Sequence, residues 1–574
     1  MSKMRYSTYV LPCLLALPLA NAAQSATHSF QDQLQQAGAI SQELNTTAPE
    51  RLEKPAGQLF KQPVNVHSHS NNAIQFELQE IHVKVLDETG LQKKTSLDLT
   101  ALFTSYLHRP ITLEDLNQLT EKITQYYREH NYLVARAFLP PQEIDSGQLT
   151  IGVIEGEIGK IAIQNESRLS EQFVRRMANT SVNSQPYLAQ NEVEKLALLL
   201  NDLSGVKSNL TIRAGQALGA TDLQIKLQDS KLWKGYLFAD NQGTAETGRY
   251  RLSGGVRLFN LAGLGDELNF NALASQNGRL KNARLDYSVL LDGYGTRLGA
   301  FYSYLDYKLG GAFAPLDAKG SNQSVGVYLL HPTIRTPNLH LNTKFTLLQN
   351  RITDSQSLAE EVKNRSRINL VSLDINGVWN SVPRGTTYFN LGASIGQEHN
   401  RSSEAYQNRP LDWQESNKFT LINAGIGHEQ VLGADFALDV NVKGQLADQN
   451  LSTSQKMLLG GQSGVRGYRS GAVSLDDGVV GQITLKHYIP LFKESVLTSS
   501  LFYDVGVGRK YHKIQTYTQR PEGTNQVKLQ SFGAGLQLSA ANNYAVQFYY
   551  SKPVGKKFAN EKDHQVMLSL LKLF

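Results

Sequence analysis

Arg466 is the residue of this chain whose chemistry makes the clearest demand, and it lies in a glycine-rich connection at residues 460–469. A guanidinium is always charged and presents several donors in a fixed fork, so inside a protein it needs a carboxylate partner. The best candidate is Asp504, in the next strand but one. Phe502, Asp504 and Gly506 share one face by the two-residue period of a strand, and the glycine would leave room for a loop. In the alternative interpretation, Arg466 is a surface residue and Asp504 a solvated acid.

The sequence offers no pattern for catalysis, nucleotide binding or a cofactor. It contains no GxxxxGK[ST] phosphate loop, and no nucleophile motif stands out. His67 and His69 lie two positions apart in a polar stretch, but a metal site needs further ligands that the neighbouring sequence does not provide. We therefore expect a protein that is not an enzyme and that carries no cofactor and no metal.

Residues 1–22 have the features of a signal peptide. Lys3 and Arg5 form a basic start, residues 10–19 are apolar, and a small-x-small cleavage site follows. Cleavage would remove Cys13, the single cysteine, which excludes disulfides and thiolate chemistry from the mature chain. The formal charge of +6 is mild for this length and no basic cluster is present, so nucleic acid is not expected as a partner.

From about residue 230 the sequence alternates apolar and polar residues. In residues 248–260, for example, Leu252 and Val256 fall on one face, and Arg251 and Arg257 fall on the other. Arginines would be poor in a protein core, but they suit a water-filled lumen when the apolar face meets lipid. About 16 such segments follow, the last ending on phenylalanine, and no run of 18 apolar residues predicts a transmembrane helix. Residues 230–574 therefore predict a transmembrane β-barrel of about 16 antiparallel strands.

The connections between these segments alternate in length. Short connections include 291–295 and 432–435, whereas long polar ones include 351–366 and 398–417. Short turns belong on the periplasmic side of such a barrel and long loops on the outside. With this assignment, the glycine-rich connection, residues 446–478, is the sixth long outer loop.

Residues 29–45 predict one amphipathic helix, and residues 46–73 predict a flexible linker rich in proline, serine and asparagine. The apolar stripe of the helix consists of Phe30, Leu34, Ala37, Ile40 and Leu44. Its opposite face is mainly glutamine, which is polar with little charge. The helix either packs on the surface of a neighbouring domain or lies in a watery lumen.

Residues 74–155 and 156–229 predict two similar small α+β domains, each a β-α-α-β-β unit. In the first unit we expect strands at 76–86, 133–139 and 148–155 and helices at 97–107 and 112–130. In the second unit we expect strands at 160–164, 210–214 and 222–227 and helices at 171–178 and 191–203. Each unit would form a three-stranded sheet with two helices on one face, and its open edge could accept a peptide as another strand.

Several short motifs connect this organisation to a known family. They are Tyr-Leu-Val-Ala-Arg-Ala-Phe-Leu-Pro at 132–140, Asp-Asn-Gln-Gly at 240–243 with Thr-Gly-Arg-Tyr at 247–250, Gly-Leu-Gly-Asp at 263–266, and Val465-Arg466-Gly467-Tyr468 with Phe502-x-Asp504-x-Gly506. With the order of signal peptide, helix, linker, two units and barrel, the chain resembles the two-partner secretion transporters of the outer membrane. The repeated units resemble the POTRA domains of this superfamily, which also includes the outer-membrane protein insertase.

The resemblance implies a function and a site. The sixth loop would fold back into the lumen, with its tip (Val465, Arg466, Gly467 and Tyr468) held by the wall residues Phe502, Asp504 and Gly506. The helix at 29–45 would plug the lumen at rest, and the POTRA domains would capture an unfolded partner in the periplasm of a Gram-negative bacterium. That partner would be a large secreted haemolysin, adhesin or contact-dependent toxin, and further partners would be outer-membrane lipid, the barrel assembly machinery and periplasmic chaperones.

The sequence departs from the family pattern at one position. Members often carry an acidic residue after the loop motif, at the start of the next strand. Here Asp476 and Asp477 are followed by Gln482 rather than by a glutamate. Which group besides Asp504 supports the loop is therefore left open. The alternative function is an insertase of outer-membrane proteins, although such a protein would usually carry more POTRA units and no plug helix.

Overall fold

The computed structural model describes residues 75–574 except for gaps at 88–89, 145–146, 183, 218, 358–360, 382–383, 403–415, 492–494, 515–524, 541–542 and 556–561. The signal peptide, the helix predicted at 29–45 and the linker predicted at 46–73 lie outside the described residues. None of the helices in the described ranges is long and apolar enough to cross a membrane.

The first of the two α+β units contains six short strands and two helices. They are β1 (Gln75–Glu77), β2 (Glu80–Asp87), β3 (Gly90–Lys94), α1 (Thr100–Phe103), β4 (Pro110–Thr112), α2 (Leu113–Glu129), β5 (Arg136–Phe138) and β6 (Gln148–Ile154). The sheet has the order β3-β2-β6-β5, with β2 and β6 parallel, and β1 and β4 form a separate pair. Helix α2 begins where the sequence predicts, because Thr112 accepts a hydrogen bond from the Asp115 N–H at 3.2 Å and donates its own N–H to the Asp115 carboxylate at 2.7 Å.

Three details of this unit differ from the predictions. The strand expected at 76–86 is interrupted after Glu77, because the Gln79 N–H turns to the Gly147 carbonyl at 2.8 Å. The helix expected at 97–107 is reduced to the four residues of α1, which a turn follows. The sheet has four strands instead of three, since β3 adds to its edge.

The second unit is a three-stranded sheet with two helices. Its elements are β7 (Glu157–Glu166), α3 (Glu171–Ser181), α4 (Gln190–Asn201), β8 (Val206–Ala214) and β9 (Ala220–Asp229), with the sheet order β7-β9-β8. Its core is built from the apolar faces of both helices and of β9, including Val193, Leu196 and Leu223. Leu290, the last residue of strand β13 in the following barrel, also packs into this core.

The barrel is closed and has 16 antiparallel strands among the described residues. Its first eleven strands are β10 (Trp233–Asp240), β11 (Arg251–Phe259), β12 (Glu267–Ser275), β13 (Leu280–Leu290), β14 (Arg297–Lys308), β15 (Lys319–Arg335), β16 (Leu339–Ser357), β17 (Glu361–Ser381), β18 (Gly385–Asn400), β19 (Lys418–Val431) and β20 (Phe436–Ala447). After a short pair, β21 (Met457–Leu458) and β22 (Ser474–Leu475), the last five are β23 (Asp477–Pro490), β24 (Ser495–Arg509), β25 (Gln526–Ala540), β26 (Tyr544–Val554) and β27 (Gln565–Leu573). Strand β27 pairs with β10 and closes the barrel, which confirms the predicted fold class apart from the helix outside the described residues.

The alternation of the strands is visible in their exposure. On β14, Leu298, Tyr302 and Tyr304 are exposed on the outer surface, whereas Phe301 and Ser303 are buried on the inner side. This is the arrangement expected when the outer face meets lipid.

One predicted loop is wrong. Residues 351–366 belong largely to a long hairpin, because β16 continues to Ser357 and β17 resumes at Glu361, with Arg351 opposite Arg367. The polar residues of this hairpin interrupt the alternation of apolar and polar residues, so the sequence predicted a loop there. In the structure, backbone pairing between the two strands continues beyond the residues that alternate. The short turns at 291–295 and 432–435 do connect neighbouring strands, with Gly295 and Gly433 in left-handed conformations.

Candidate functional site: the inner loop and its anchors

The connection between β20 and β23, residues 448–476, folds into the barrel, and we call it the inner loop. It is the sixth connection on its side of the barrel. Its apolar residues form a buried cluster with two residues of the barrel wall, and the members are Leu459, Val465, Tyr468, Val473, Leu475, Val480 and Leu529. Loop residues of this type would lie in water if the connection projected outward, so their burial against β23 and β25 fixes the inward path.

Three adjacent strands present one row of polar side chains to the tip of this loop. Gln482 on β23 lies directly opposite Asp504 on β24, and Asp504 lies opposite Ser531 on β25. Residues that are directly opposite in neighbouring strands share one face of the sheet. The Ser531 hydroxyl donates to Asp504 Oδ2 at 3.2 Å, so the row is connected before the loop is considered.

Arg466 docks on the centre of this row. Its Nη2 donates to Asp504 Oδ1 at 2.6 Å, its Nε donates to Oδ2 at 2.9 Å, and its backbone N–H donates to Oδ2 at 2.9 Å. The side chain of Arg466 is 8% exposed and that of Asp504 is fully buried. The guanidinium carbon also lies 3.6 Å from the centroid of the Phe502 ring, and Nη2 donates to Thr484 Oγ1 at 3.2 Å. A bidentate, buried pair over an aromatic face gives both strength and orientation.

The two predicted glycines lie where the loop and the wall meet most closely. A Cβ added to Gly467 would lie 2.5 Å from the Ser531 Cβ, and one added to Gly506 would lie 2.5 Å from the Leu459 Cδ1 and 2.9 Å from the Val465 Cγ2. Neither position can take a side chain without displacing its neighbour. The structure thus brings together all seven predicted residues: Val465, Arg466, Gly467 and Tyr468 of the tip, and Phe502, Asp504 and Gly506 of the wall.

Gln482 occupies the position where the sequence departs from the family pattern, and its side-chain amide holds the loop by donating hydrogen bonds to it. Its Nε2 donates to the Gly464 carbonyl at 2.7 Å and to the Gln462 carbonyl at 3.1 Å. A carboxylate at this position could not make either bond, because it has no hydrogen to donate. The Gln462 side chain in turn accepts from Gln242 Nε2 at 2.7 Å, which connects the tip to the connection after β10.

A second anchor lies at the base of the inner loop and was missed in the sequence. Lys456 Nζ lies 3.0 Å from Asp476 Oδ1, and the two side chains are 1% and 0% exposed. Lys456 also donates to the Lys510 carbonyl at 2.7 Å and lies 4.3 Å from the Tyr511 ring centroid. Burial raises the pKa of the Asp476 carboxyl, and the Lys456 ammonium with the backbone N–H of His512 opposes that rise.

Asp477 completes this base. Its Oδ1 accepts from the Ala447 N–H at 2.9 Å, and its Oδ2 lies 2.8 Å from Arg509 Nη2 and 2.9 Å from His512 Nδ1. Asp476 and Asp477 are therefore the acidic groups, besides Asp504, that support the loop. The sequence contained this pair of aspartates, but their partners lie up to 36 positions away and carry no local signal.

The site is built for holding a loop, and its charged groups are engaged with one another. In the described ranges, no cluster of three or more histidine, cysteine, aspartate or glutamate residues could hold a metal ion. The predicted plug residues Phe30, Leu34, Ala37, Ile40 and Leu44 lie outside the described residues.

Comparison with known proteins relates this architecture to characterised families. The model of the haemolysin secretion/activation protein family ShlB/FhaC/HecB matches residues 219–538, and that of the ShlB-type POTRA domain matches residues 76–156. The chain is 43% identical over 539 residues to the heme/hemopexin transporter protein HuxB of Haemophilus influenzae, covering 94% of each chain. It is 25% identical over 437 residues to the outer membrane transporter CdiB of Dickeya dadantii, covering 73% of this chain and 74% of the relative.

The fold also matches a solved structure. CdiB from Escherichia coli superposes with a TM-score of 0.70 at 18% identity, covering 96% of this chain and 100% of that one. At this identity the likeness concerns the fold alone.

Proposed function

The chain belongs to the haemolysin secretion/activation protein family, and we propose that the cargo it exports is a secreted protein of a heme or hemopexin system. The chain is an outer-membrane transporter of two-partner secretion, with periplasmic POTRA domains, and its partner is a large secreted exoprotein. The observation that carries the finer proposal is the 43% identity to a heme/hemopexin transporter over 94% of both chains. The identity to a CdiB transporter is 25% and covers less of each chain, so a toxin cargo is less favoured.

Each domain of the chain would have its own role in transport. The first and second POTRA units, which we delimit at 74–155 and 156–229, would receive the unfolded exoprotein, and the barrel at 230–574 would conduct it outward. Among the described residues, β3 lies at the edge of its sheet, where an extended segment could add by backbone hydrogen bonds. The helix at 29–45 would leave the lumen for export, with the linker at 46–73 giving it reach.

In this proposal, the inner loop would keep a fixed position in the lumen, so that the surface along which the exported chain passes would keep the same shape. The bidentate contact of Arg466 with Asp504 and the two hydrogen bonds from Gln482 support this role, because they fix both the charge and the backbone of the tip. The buried Lys456–Asp476 pair would hold the base in the same way. An insertase role finds no particular support, since the matching family model and the relatives above are secretion or transport proteins.

The test of the cargo proposal is export of defined exoproteins from cells that carry this chain. The chain would be expressed with the exoprotein encoded beside it, and separately with a haemolysin and with a contact-dependent toxin exoprotein. We expect the neighbouring exoprotein in the medium, and we expect it to bind immobilised heme or hemopexin.

Export of an exoprotein that binds neither would overturn the cargo proposal while leaving transport intact. Depletion of other barrel proteins on loss of this chain, without export of any exoprotein, would favour the insertase alternative. The Arg466→Ala variant, tracked for barrel abundance, tests the loop: export should collapse while the barrel is still assembled.

A further inference from the structure

Helix α4 of the second POTRA unit is capped by a residue of the first unit. The residue that precedes α4, Ala189, has no side chain able to cap the helix. Asn131 of the first unit supplies the missing acceptors: its Oδ1 accepts from the Asn191 N–H at 2.9 Å, and its carbonyl accepts from the Gln190 N–H at 2.9 Å. Its Nδ2 also donates to Asn191 Oδ1 at 2.8 Å. Two of the helix's unsatisfied N–H groups thus find partners across the domain junction.

The conformation of Asn131 suits this role. Its φ of +76° lies in the left-handed region, which asparagine tolerates better than most residues with a side chain. Next to it, Tyr132 stacks on Tyr187 of the second unit, with ring centroids 3.7 Å apart and planes 16° apart. The Leu133 N–H donates to the Leu188 carbonyl at 3.1 Å. The junction therefore combines a helix cap, an aromatic stack and a backbone hydrogen bond.

The opposite end of α4 is bound to the barrel. Asp202, the C-cap residue, accepts from Arg335 Nε at 2.7 Å. A carboxylate at a helix C-terminus is unfavourable with the helix dipole, so the arginine supplies the compensation that this position needs. Arg335 is itself held at the end of β15, because Nη2 donates to Asn342 Oδ1 at 2.7 Å and Nη1 donates to the Ile334 carbonyl at 3.0 Å.

The middle of α4 rests on the turns of the barrel. Lys195 Nζ lies 5.7 Å from the centroid of the Tyr294 ring. A Cβ on Gly295 would lie 3.0 Å from Leu199 Cδ2, so the turn lies close against the helix. A few residues beyond the helix, Asn260 of another turn donates to the Ser204 carbonyl at 3.0 Å.

We propose that α4 is a strut that fixes the first POTRA unit over the entrance of the barrel, and that Asn131, Asp202 and Arg335 are positioning residues for export. A helix of 12 residues is about 18 Å long, so a small change of angle at either end moves the first unit by several ångströms. Domains in one chain move relative to one another unless their interface holds them. Here the interface is tied at both ends of a single rigid element.

The inference rests on the transport function but not on the cargo proposed above, because its first readout needs no cargo. Spin labels at Gln125→Cys in α2 and Ala434→Cys in a periplasmic turn would report the distance from the first unit to the barrel. The mature chain expected after signal cleavage contains no other cysteine. In the wild-type background we expect a single narrow distance distribution.

Asn131→Gly is the informative variant, because glycine keeps the left-handed conformation and removes the side-chain acceptor. From the usual effect of losing a cap, the equilibrium between the fixed and the released arrangement should shift about fivefold. We expect a broadened distance distribution and a matching fall in export, with unchanged barrel abundance. Asn131→Asp keeps a side-chain acceptor, so its distance distribution and its export should match those of the wild type. His108→Gly, at an exposed left-handed position away from the junction, should also change neither the distribution nor export.

The other end of the strut gives an independent test if Asn131→Gly impairs folding. Asp202→Asn should broaden the same distribution, whereas Glu171→Gln, which removes an exposed ion pair within α3, should not. A narrow distribution in both Asn131→Gly and Asp202→Asn would overturn the strut. A broadened distribution with undiminished export would show that export does not need the fixed position, which would overturn the role of the three residues.

Discussion

Asp504→Ala should release the tip of the inner loop from the barrel wall. The change removes an acceptor that receives hydrogen bonds from the Arg466 side chain, from the Arg466 backbone N–H and from Ser531. It leaves a guanidinium that is 8% exposed without its counter-charge. Removing one partner of a buried ion pair costs about 3–5 kcal/mol. Because 1.4 kcal/mol is a tenfold change, the population of docked tips should fall on the order of 100-fold or more relative to released ones.

The assay is the mobility of a spin label at Ser463→Cys, a partly exposed position two residues before the tip, in the purified full chain. Asp504→Ala should convert an immobilised spectrum into a mobile one, and export should fall in parallel. Asp504→Asn keeps the shape and one acceptor, so its effect should be intermediate. The double variant with Arg466→Ala leaves no unpaired charge, so its effect should be smaller than the sum of the two single changes.

A matched control is available on another part of the wall. Asp286→Ala removes another buried carboxylate, on β13, whose partner Arg284 lies 3.2 Å away on the same strand. This variant should leave the tip immobilised. A wild-type spectrum for Asp504→Ala, or equal mobilisation by Asp286→Ala, would refute the reasoning that this one pair holds the tip.

Three further predictions concern the other anchors and the first POTRA unit. Gln482→Glu replaces a donor to two loop carbonyls by an acceptor, which should weaken tip docking by about 1–3 kcal/mol and mobilise the same spin label, with Gln482→Leu as the uncharged comparison. Lys456→Met leaves Asp476 buried without a cation and should weaken the base of the loop by about 3–5 kcal/mol, seen as faster proteolysis of the loop, whereas Lys456→Met with Asp476→Leu should recover most of the protection. The hydrogen bonds from Thr112 hold the pKa of the Asp115 carboxyl below its ordinary value of 3.8. The contribution of the ionised Asp115 to the stability of α2 is therefore fully present above pH 3.8, and it is lost as the pH falls through the lower pKa of the folded state. Thermal melts followed at 222 nm should show this acid-dependent loss in the wild type and a smaller one in Asp115→Asn.

Much of the fold could be predicted because the chain follows two simple periods. Alternation with period two identified the barrel, and the Thr112 and Asp115 pair located the start of α2. The errors arose where no period operates. Strand β3 has one apolar residue and was missed, and the hairpin of β16 and β17 continues into a polar stretch that resembles a loop.

The candidate site shows the same division more sharply. The sequence by itself determined that Arg466 needs a buried carboxylate, that Asp504 lies on a suitable face, and that glycines allow close approach. Only the tertiary structure decided that Gln482 shares a row with Asp504, that Lys456 pairs with Asp476, and that a residue of one domain caps a helix of the next. The physical reason is that residue type fixes what a group requires, whereas its partner depends on strand register and on the path of loops that join distant parts of the chain.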